Sequence, residues 1–223
     1  VITTPITFAA SANCAFYCGA RPVFADINEE TYNIDPENVR RLTTEKTKAV
    51  VAVDFTGQSV ELDALLSHCH EKGITLIEDG AHVIGTKYKG RCNGSIADMT
   101  TLSFHPVKTV TCGEGGAVLT NDENLYRKLL LYRAHGITRD PSLMEHEPDG
   151  PWYYEQLTLA MNYRMTDMQA ALLISQLKKL PMFMERRKEI VKRYNEAFSK
   201  LPQIIVQKEI RESDTTRHLY ILR

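Results

Sequence analysis

The segment Thr75-Leu76-Ile77-Glu78-Asp79-Gly80-Ala81-His82 indicates the fold class, because a short apolar run ends in carboxylates and a small-residue turn. Similar apolar runs recur along the chain, at residues 22–25, 49–53, 100–104 and 117–119. Continuous apolar runs of this length are typical of strands that are buried on both faces of a sheet. The chain is therefore expected to build a central, buried sheet.

Helical patterns separate these strands, at residues 8–18, 36–42, 62–71 and 123–135. Strands that alternate with helices predict an α/β fold, in which helices cover a mainly parallel sheet and the crossovers are right-handed. The glycine-bounded residues 113–116 are the exception, because they fit a turn that leads into an antiparallel strand.

Two further helices are predicted after a charged loop at residues 137–151. Thr166 fits as the N-cap of the first helix, which reaches Leu180, and Pro181 separates the two. The second helix carries an apolar stripe and a basic cluster, which is most simply a solvated face.

Composition excludes several classes of protein. Lys and Arg number 27 against 28 Asp and Glu in 223 residues, so no bulk charge favours nucleic acid or an anionic membrane. No apolar run is long enough for a bilayer span and no secretory leader opens the chain, so the cytoplasm is the expected location. The five scattered cysteines fit reduced thiols, and no ligand spacing favours a metal site.

Both ends of the chain suggest a longer protein. The first residue, Val1, is not a methionine, and the last, Arg223, directly follows the strand-like residues 218–222. We therefore expect a fold that is truncated at both ends.

Two residues carry the chemistry that the sequence predicts. Lys108 follows one predicted strand and Asp79 ends another, so both belong at the carboxyl edge of the sheet, where open α/β sheets bind ligands. A lysine amine forms a Schiff base with an aldehyde cofactor, and a carboxylate pairs with a protonated pyridine nitrogen. The pair points to pyridoxal phosphate, although a solvated lysine and a helix-capping aspartate are the alternatives.

Four other residues are candidates for cofactor contacts. His82 could reach the phenolic oxygen of the cofactor or brace Asp79. Ser103 and Asn162 offer polar groups for a phosphate, and the ring of Phe8 could stack on a flat cofactor ring. For each of these residues alone, an ordinary packing or turn role is the competing interpretation.

The chain resembles the DegT-type nucleotide-sugar aminotransferases over nearly its whole length. The resemblance rests on motifs in a fixed order: Thr7-Phe8-Ala9-Ala10-Ser11, Pro22-Val23-Phe24-Ala25-Asp26, Asp79-Gly80-Ala81-His82, Ser103-Phe104-His105-Pro106-Val107-Lys108, Glu114-Gly115-Gly116 and Asn162-Tyr163-Arg164-Met165. It is closest to the branch that aminates C4 of UDP-linked keto-deoxy-N-acetylhexosamines, as in pseudaminic acid synthesis. Segments 152–156 and 175–180 carry that finer likeness.

The resemblance implies a pyridoxal-phosphate transferase fold of the aspartate aminotransferase type, with a mainly parallel sheet of the seven-stranded kind. Residues 1–180 would form the large cofactor-binding domain, incomplete at its N-terminus. Residues 181–223 would form a connecting helix and the start of the small C-terminal domain. The family's small-residue phosphate-binding turn would lie before Val1.

The resemblance also implies a role for each candidate residue. Lys108 would hold the cofactor as a Schiff base, Asp79 would pair with its ring nitrogen, and His82 would lie near its phenolic oxygen. Phe8 would stack on the ring. Ser103 would contact the phosphate, as would Asn162 from the other subunit of a homodimer. A deoxygenating relative has histidine where this chain has Lys108, so transamination is favoured.

The expected activity is transfer of an amino group from an amino acid, with L-glutamate as the expected donor, to a keto group of a UDP- or dTDP-linked sugar. Such a reaction serves surface polysaccharide or glycan biosynthesis. The alternatives are amination at C3 and a non-catalytic binding or regulatory protein that has kept the fold. A nicotinamide-binding protein is excluded because no glycine-rich dinucleotide fingerprint follows a first strand.

Overall fold

A computed structural model describes residues 1–223 and has a central sheet of six strands. In chain order these strands are β1 (Ile2–Thr3), β2 (Val23–Phe24), β3 (Ala49–Val53), β4 (Thr75–Asp79), β5 (Met99–Ser103) and β6 (Gly116–Leu119). Their order across the sheet is β2-β1-β3-β4-β5-β6. The resemblance implied a sheet of the seven-stranded kind, and this chain supplies six strands.

All neighbouring strands run parallel except the last pair. β5 and β6 are antiparallel, with Ser103 opposite Gly116, because residues 113–116 turn the chain back on itself. The mainly parallel sheet and its antiparallel edge strand are thus both confirmed.

Five helices accompany the sheet: α1 (Ala10–Tyr17), α2 (Pro36–Leu42), α3 (Leu62–Glu71), α4 (Glu123–Arg133) and α5 (Asp167–Phe198). Side-chain N-caps explain where α2 and α4 begin. The side chains of Asp35 and Asp122 accept hydrogen bonds from the first backbone N–H groups of α2 and α4. None of the five helices combines the length and apolarity that crossing a bilayer would require.

The main core lies between the sheet and helices α2 and α3. β3 is apolar throughout and almost fully buried, as a central parallel strand should be. On β4, Leu76 and Glu78 are fully buried, whereas Asp79 is only partly buried. Side chains alternate along a strand, so Asp79 points to the opposite face from Glu78.

Helix α5 corrects the prediction of two helices separated at Pro181. It is one 32-residue helix that runs through the proline. Thr166 does cap its start, in a reciprocal capping box with Gln169. Packing explains the continuity, because Leu173, Leu180 and Phe183 lie on both sides of the proline and contact the same small core. That contact outweighs the loss of one helical hydrogen bond. The domain limits at residue 180 stay a prediction.

The final segment returns to the edge of the sheet region. Ser213–Asp214 pairs antiparallel with Lys87–Tyr88, which itself forms a hairpin with Arg91–Cys92. Residues 218–222 looked like a strand in sequence, but only one isolated bridge, between Val206 and Leu222, forms there. The chain is instead held by side chains around residues 215–218.

Candidate functional site

The candidate site lies at the carboxyl ends of β4 and β5. Asp79 is the last residue of β4 and pairs in register with Thr101 of β5. Lys108 lies in the loop after β5, where its backbone N–H donates a 3.0 Å hydrogen bond to the carbonyl oxygen of His105. The adjacent parallel strands therefore deliver both groups to one edge of the sheet, as the sequence predicted.

The environment of Lys108 makes its amine easier to deprotonate. Partial burial lowers the pKa of this amine below its usual value, and the negative charge of Asp79 opposes the shift. The side chain is thus partly desolvated while it remains within electrostatic reach of a carboxylate. A lysine with a lowered pKa is a better nucleophile and base at neutral pH.

Asp79 is fixed by a donor from α1. The Oγ of Ser11 donates a 2.6 Å hydrogen bond to Oδ2 of Asp79, and a second hydroxyl, Oγ1 of Thr7, lies 2.7 Å from the same Ser11 oxygen. The backbone N–H of Ala81 approaches Oδ1 at 3.3 Å. No helix begins directly after Asp79, so a helix-capping role for this carboxylate is excluded.

Sequence reasoning did not assign a role to Ser11. The residue is buried, and it occurs within a motif that the sequence analysis quoted for the family likeness. Its contact with Asp79 joins two segments that are far apart in sequence, so no local pattern could have revealed it.

His82 lies beside a second histidine that the sequence did not single out. The ring centroids of His82 and His218 are 4.5 Å apart, and the rings are tilted by 36°. Burial, with a contribution from the nearby Lys108 charge, lowers the pKa of His82 to about 4. The pKa of His218 is lowered to about 3, chiefly by burial and then by His82, Lys108 and Arg187. Both imidazoles are therefore neutral at physiological pH.

The remaining candidates lie at the edge of the site. Phe8 precedes α1 rather than opening it, and 81% of its surface is exposed. Ser103 ends β5, and its Oγ accepts a long 3.4 Å hydrogen bond from the backbone N–H of His105. Asn162 is exposed, and its side-chain oxygen accepts only from the backbone N–H of Arg164, so its own chain does not tie it to Asp79.

Two buried carboxyl groups lie behind the site. Glu78 accepts hydrogen bonds from Asn93, from the Gly94 backbone and from Thr100. Asp54, which directly follows β3, accepts from the backbone N–H of Val60 and is fully buried. Burial, and then the proximity of Glu78, raise the pKa of Asp54 well above its usual range. The same burial therefore favours the neutral form of the Asp54 carboxyl.

Comparison with known proteins gives a consistent picture. The sequence profile of the DegT/DnrJ/EryC1/StrS aminotransferase family matches residues 1–223. The spore coat polysaccharide biosynthesis protein SpsC of Bacillus subtilis is 42% identical over 223 residues, which are 100% of this chain and 57% of SpsC. The UDP-4-amino-4,6-dideoxy-N-acetyl-beta-L-altrosamine transaminase of Campylobacter jejuni is 40% identical, over 99% of this chain and 57% of the transaminase.

Solved structures agree with the sequence matches. Helicobacter pylori PseC, an aminotransferase of pseudaminic acid biosynthesis, superposes with a TM-score of 0.91 at 35% identity, over 99% of this chain and 57% of PseC. The PLP form of the sugar aminotransferase Spr1654 from Streptococcus pneumoniae gives 0.88 at 32% identity, over 100% and 59% of the two chains. This chain therefore spans somewhat more than half the length of the relatives that it matches.

Proposed function

Because the chain belongs to the DegT/DnrJ/EryC1/StrS aminotransferase family, we propose that the protein is a pyridoxal-phosphate-dependent aminotransferase that acts on nucleotide sugars. It takes the amino group of L-glutamate and transfers it to the C4 keto group of a UDP- or dTDP-linked keto-deoxy sugar. The product serves surface polysaccharide or glycan biosynthesis. The family and the transferase fold that the sequence motifs suggested are both confirmed.

The observation that carries this proposal is the placement of Lys108 and Asp79 at the same edge of the sheet. The charge of Asp79 acts on the Lys108 amine, and Asp79 is held in place by Ser11. An activated amine beside a fixed carboxylate is the arrangement that this cofactor requires of its protein.

Other features of the structure fit the same cofactor. The exposed ring of Phe8 offers an apolar face to a flat aromatic ring. Nδ1 of His82 is buried without a hydrogen-bond partner in the protein, so no other protein group engages the imidazole through that nitrogen. Pyridoxal phosphate supplies an electron-withdrawing ring that stabilises negative charge at the α-carbon of a bound amino acid.

The protein's own groups bind the cofactor and move protons. The Nζ of Lys108 would hold the cofactor at its aldehyde carbon, and the same amine would accept the α-carbon proton of a bound donor amino acid. Asp79 would hold the ring nitrogen in its protonated form by accepting a hydrogen bond from it. Ser103 would donate a hydrogen bond to the phosphate, as would Asn162 of the partner subunit.

A homodimer with shared sites is part of the proposal. Phe8, Asn162 and a set of large apolar side chains are exposed, whereas monomers rarely expose extended apolar surface. The apolar set in the same parts of the chain comprises Phe16, Tyr17, Leu159, Met161, Tyr163 and Met168. We also propose a cytoplasmic location, which suits the five free thiols.

Two variants test the chemistry and the shared site together. Lys108→Ala is expected to abolish both activity and the visible absorbance that appears on addition of pyridoxal phosphate. Asn162→Asp is expected to weaken cofactor binding, because it places a carboxylate against the phosphate. Each variant alone should be close to inactive when supplied with glutamate and a panel of UDP- and dTDP-linked keto sugars.

Mixing the two inactive variants distinguishes the possible arrangements. Random reassociation would restore roughly a quarter of the wild-type activity, because half of the dimers would each carry one intact site. No recovery would refute the shared site. Unchanged absorbance in Lys108→Ala would refute the role of the lysine, and cofactor binding without amination of any sugar would favour a non-catalytic protein.

A further inference from the structure

His218 reaches the candidate site from the far end of the chain. The segment that carries it is held by several contacts: Leu219 donates its N–H to the carbonyl oxygen of Thr56, and Thr216 does so to the hydroxyl of Thr86. Arg187 of α5 donates to the carbonyl oxygen of His218 at 3.1 Å. These contacts fix the backbone on both sides of the His218 ring.

The His218 side chain is enclosed and lies against the site. It is only 8% exposed, and its Nδ1 lies 3.4 Å from the hydroxyl of Thr109, the residue after Lys108. Its other neighbour is the ring of His82, at a centroid distance of 4.5 Å. One side chain thus contacts both segments of the candidate site.

His82 itself has little else to fix its orientation. Its Nδ1 has no hydrogen-bond partner, and the other nearby ring, Phe55, is 6.4 Å away between centroids. A histidine without hydrogen bonds is free to flip or rotate about its side-chain bonds unless packing prevents it. The closer of its two aromatic contacts is the stack on His218.

We propose that His218 is a positioning residue for His82. Its ring packs against the His82 imidazole and holds it in one orientation towards the cofactor position, while excluding water from the Nδ1 side. Thr109 orients the His218 ring in turn. The role of His82 towards the phenolic oxygen rests on the proposed function, whereas the stacking and its effect on His82 do not.

Nuclear magnetic resonance of the protein without added cofactor, with ¹⁵N-labelled histidine, tests this directly. The wild-type protein should show a cross-relaxation signal between the ring protons of the two histidines. It should also show a His82 signal that does not titrate above about pH 5, since the His82 pKa is lowered to about 4. The charged groups near the pair are Lys108 and Arg187, and the charge of each lowers the pKa of His218.

Two substitutions separate ring stacking from general folding. In His218→Gln the ring is lost, so the His82 signal should lose its ring-current shift and its pKa should rise towards the ordinary value of 6.5. His218→Phe keeps an aromatic ring and should preserve both properties. His68→Gln is the matched control, because His68 is also 8% exposed but lies on α3 and contacts Thr43.

The possible outcomes test the positioning role of His218 separately from the proposed function. A His82 signal that is unchanged in His218→Gln would overturn the proposal, and so would the absence of ring-to-ring cross-relaxation in the wild-type protein. Failure of the wild-type protein to bind pyridoxal phosphate would instead refute the proposed function, while the resonance data still test the stack. If the positioning role of His218 and the proposed function both hold, His218→Gln should shift the absorbance maximum of the bound cofactor, and His68→Gln should not.

Discussion

Ser11→Ala removes the donor that fixes Asp79. The hydrogen bond from its Oγ to Oδ2 of Asp79 is 2.6 Å long, and Ser11 is only 4% exposed. Water therefore cannot readily replace the lost donor. A hydrogen bond to a charged group contributes about 1.5–3 kcal/mol to stability, so we expect a loss of this size in the free energy of unfolding.

Urea denaturation and thermal melting measure this loss. For a chain of this length, 1 kcal/mol lowers Tm by about 2–4 °C, so Ser11→Ala should melt about 3–12 °C below the wild-type protein. The affinity for pyridoxal phosphate should fall as well, by roughly tenfold for each 1.4 kcal/mol that ordering of Asp79 contributes to binding.

Ser142→Ala is the matched control for this experiment. Ser142 also donates to an aspartate oxygen, Oδ1 of Asp140 at 2.7 Å, but that pair is exposed to solvent. Water replaces the lost donor there, so little change is expected in either measurement. Equal effects in the two variants would refute the argument that burial gives the Ser11 contact its strength.

Two further perturbations test the surroundings of the site. Gly57→Ala should lower the free energy of unfolding in urea by about 2–5 kcal/mol, because Gly57 has a φ of 93° and an added Cβ would lie 2.9 Å from the His82 carbonyl oxygen and from the Thr216 side chain. Gly73→Ala is the control: Gly73 has a φ of 63° and open space around it, so this substitution should cost only about 1–2 kcal/mol. Equal costs for the two substitutions would contradict the close packing around Gly57. Asp54→Asn tests the pH dependence of stability. Because the pKa of Asp54 is raised in the folded state, the folded state binds more protons than the unfolded state. The stability of the wild-type protein therefore falls as pH rises above the ordinary carboxyl pKa of about 4. The variant lacks this proton and should gain stability relative to wild type over the same range, whereas parallel pH curves would show that Asp54 is not buried in its protonated form.

The sequence alone was sufficient where the signal is local. Apolar runs such as residues 49–53 predicted strands, and Thr166 was correctly predicted as a helix N-cap. Lys108 and Asp79 were predicted to meet because the carboxyl ends of parallel strands share one edge of a sheet. Each of these inferences depends on residues within one element or on adjacent strands.

Proline and buried carboxyl groups show the limits of such reasoning. Pro181 is a local signal for a helix end, yet α5 continues because residues on both sides of it pack on the same core. The raised pKa of Asp54 likewise follows from complete burial and from the nearby Glu78, which no pattern along the chain encodes. Tertiary packing supplied the energy that decided both cases.

The sequence by itself thus determined five of the six strands of the central sheet, the family likeness, and the two residues at the centre of the candidate site. Only the tertiary structure decided what holds them: Ser11 on Asp79, and His218 against His82. The physical reason is distance along the chain. Hydrophobic periodicity and capping act over a few residues, whereas a hydrogen bond or a ring stack between remote segments exists only once the chain has folded.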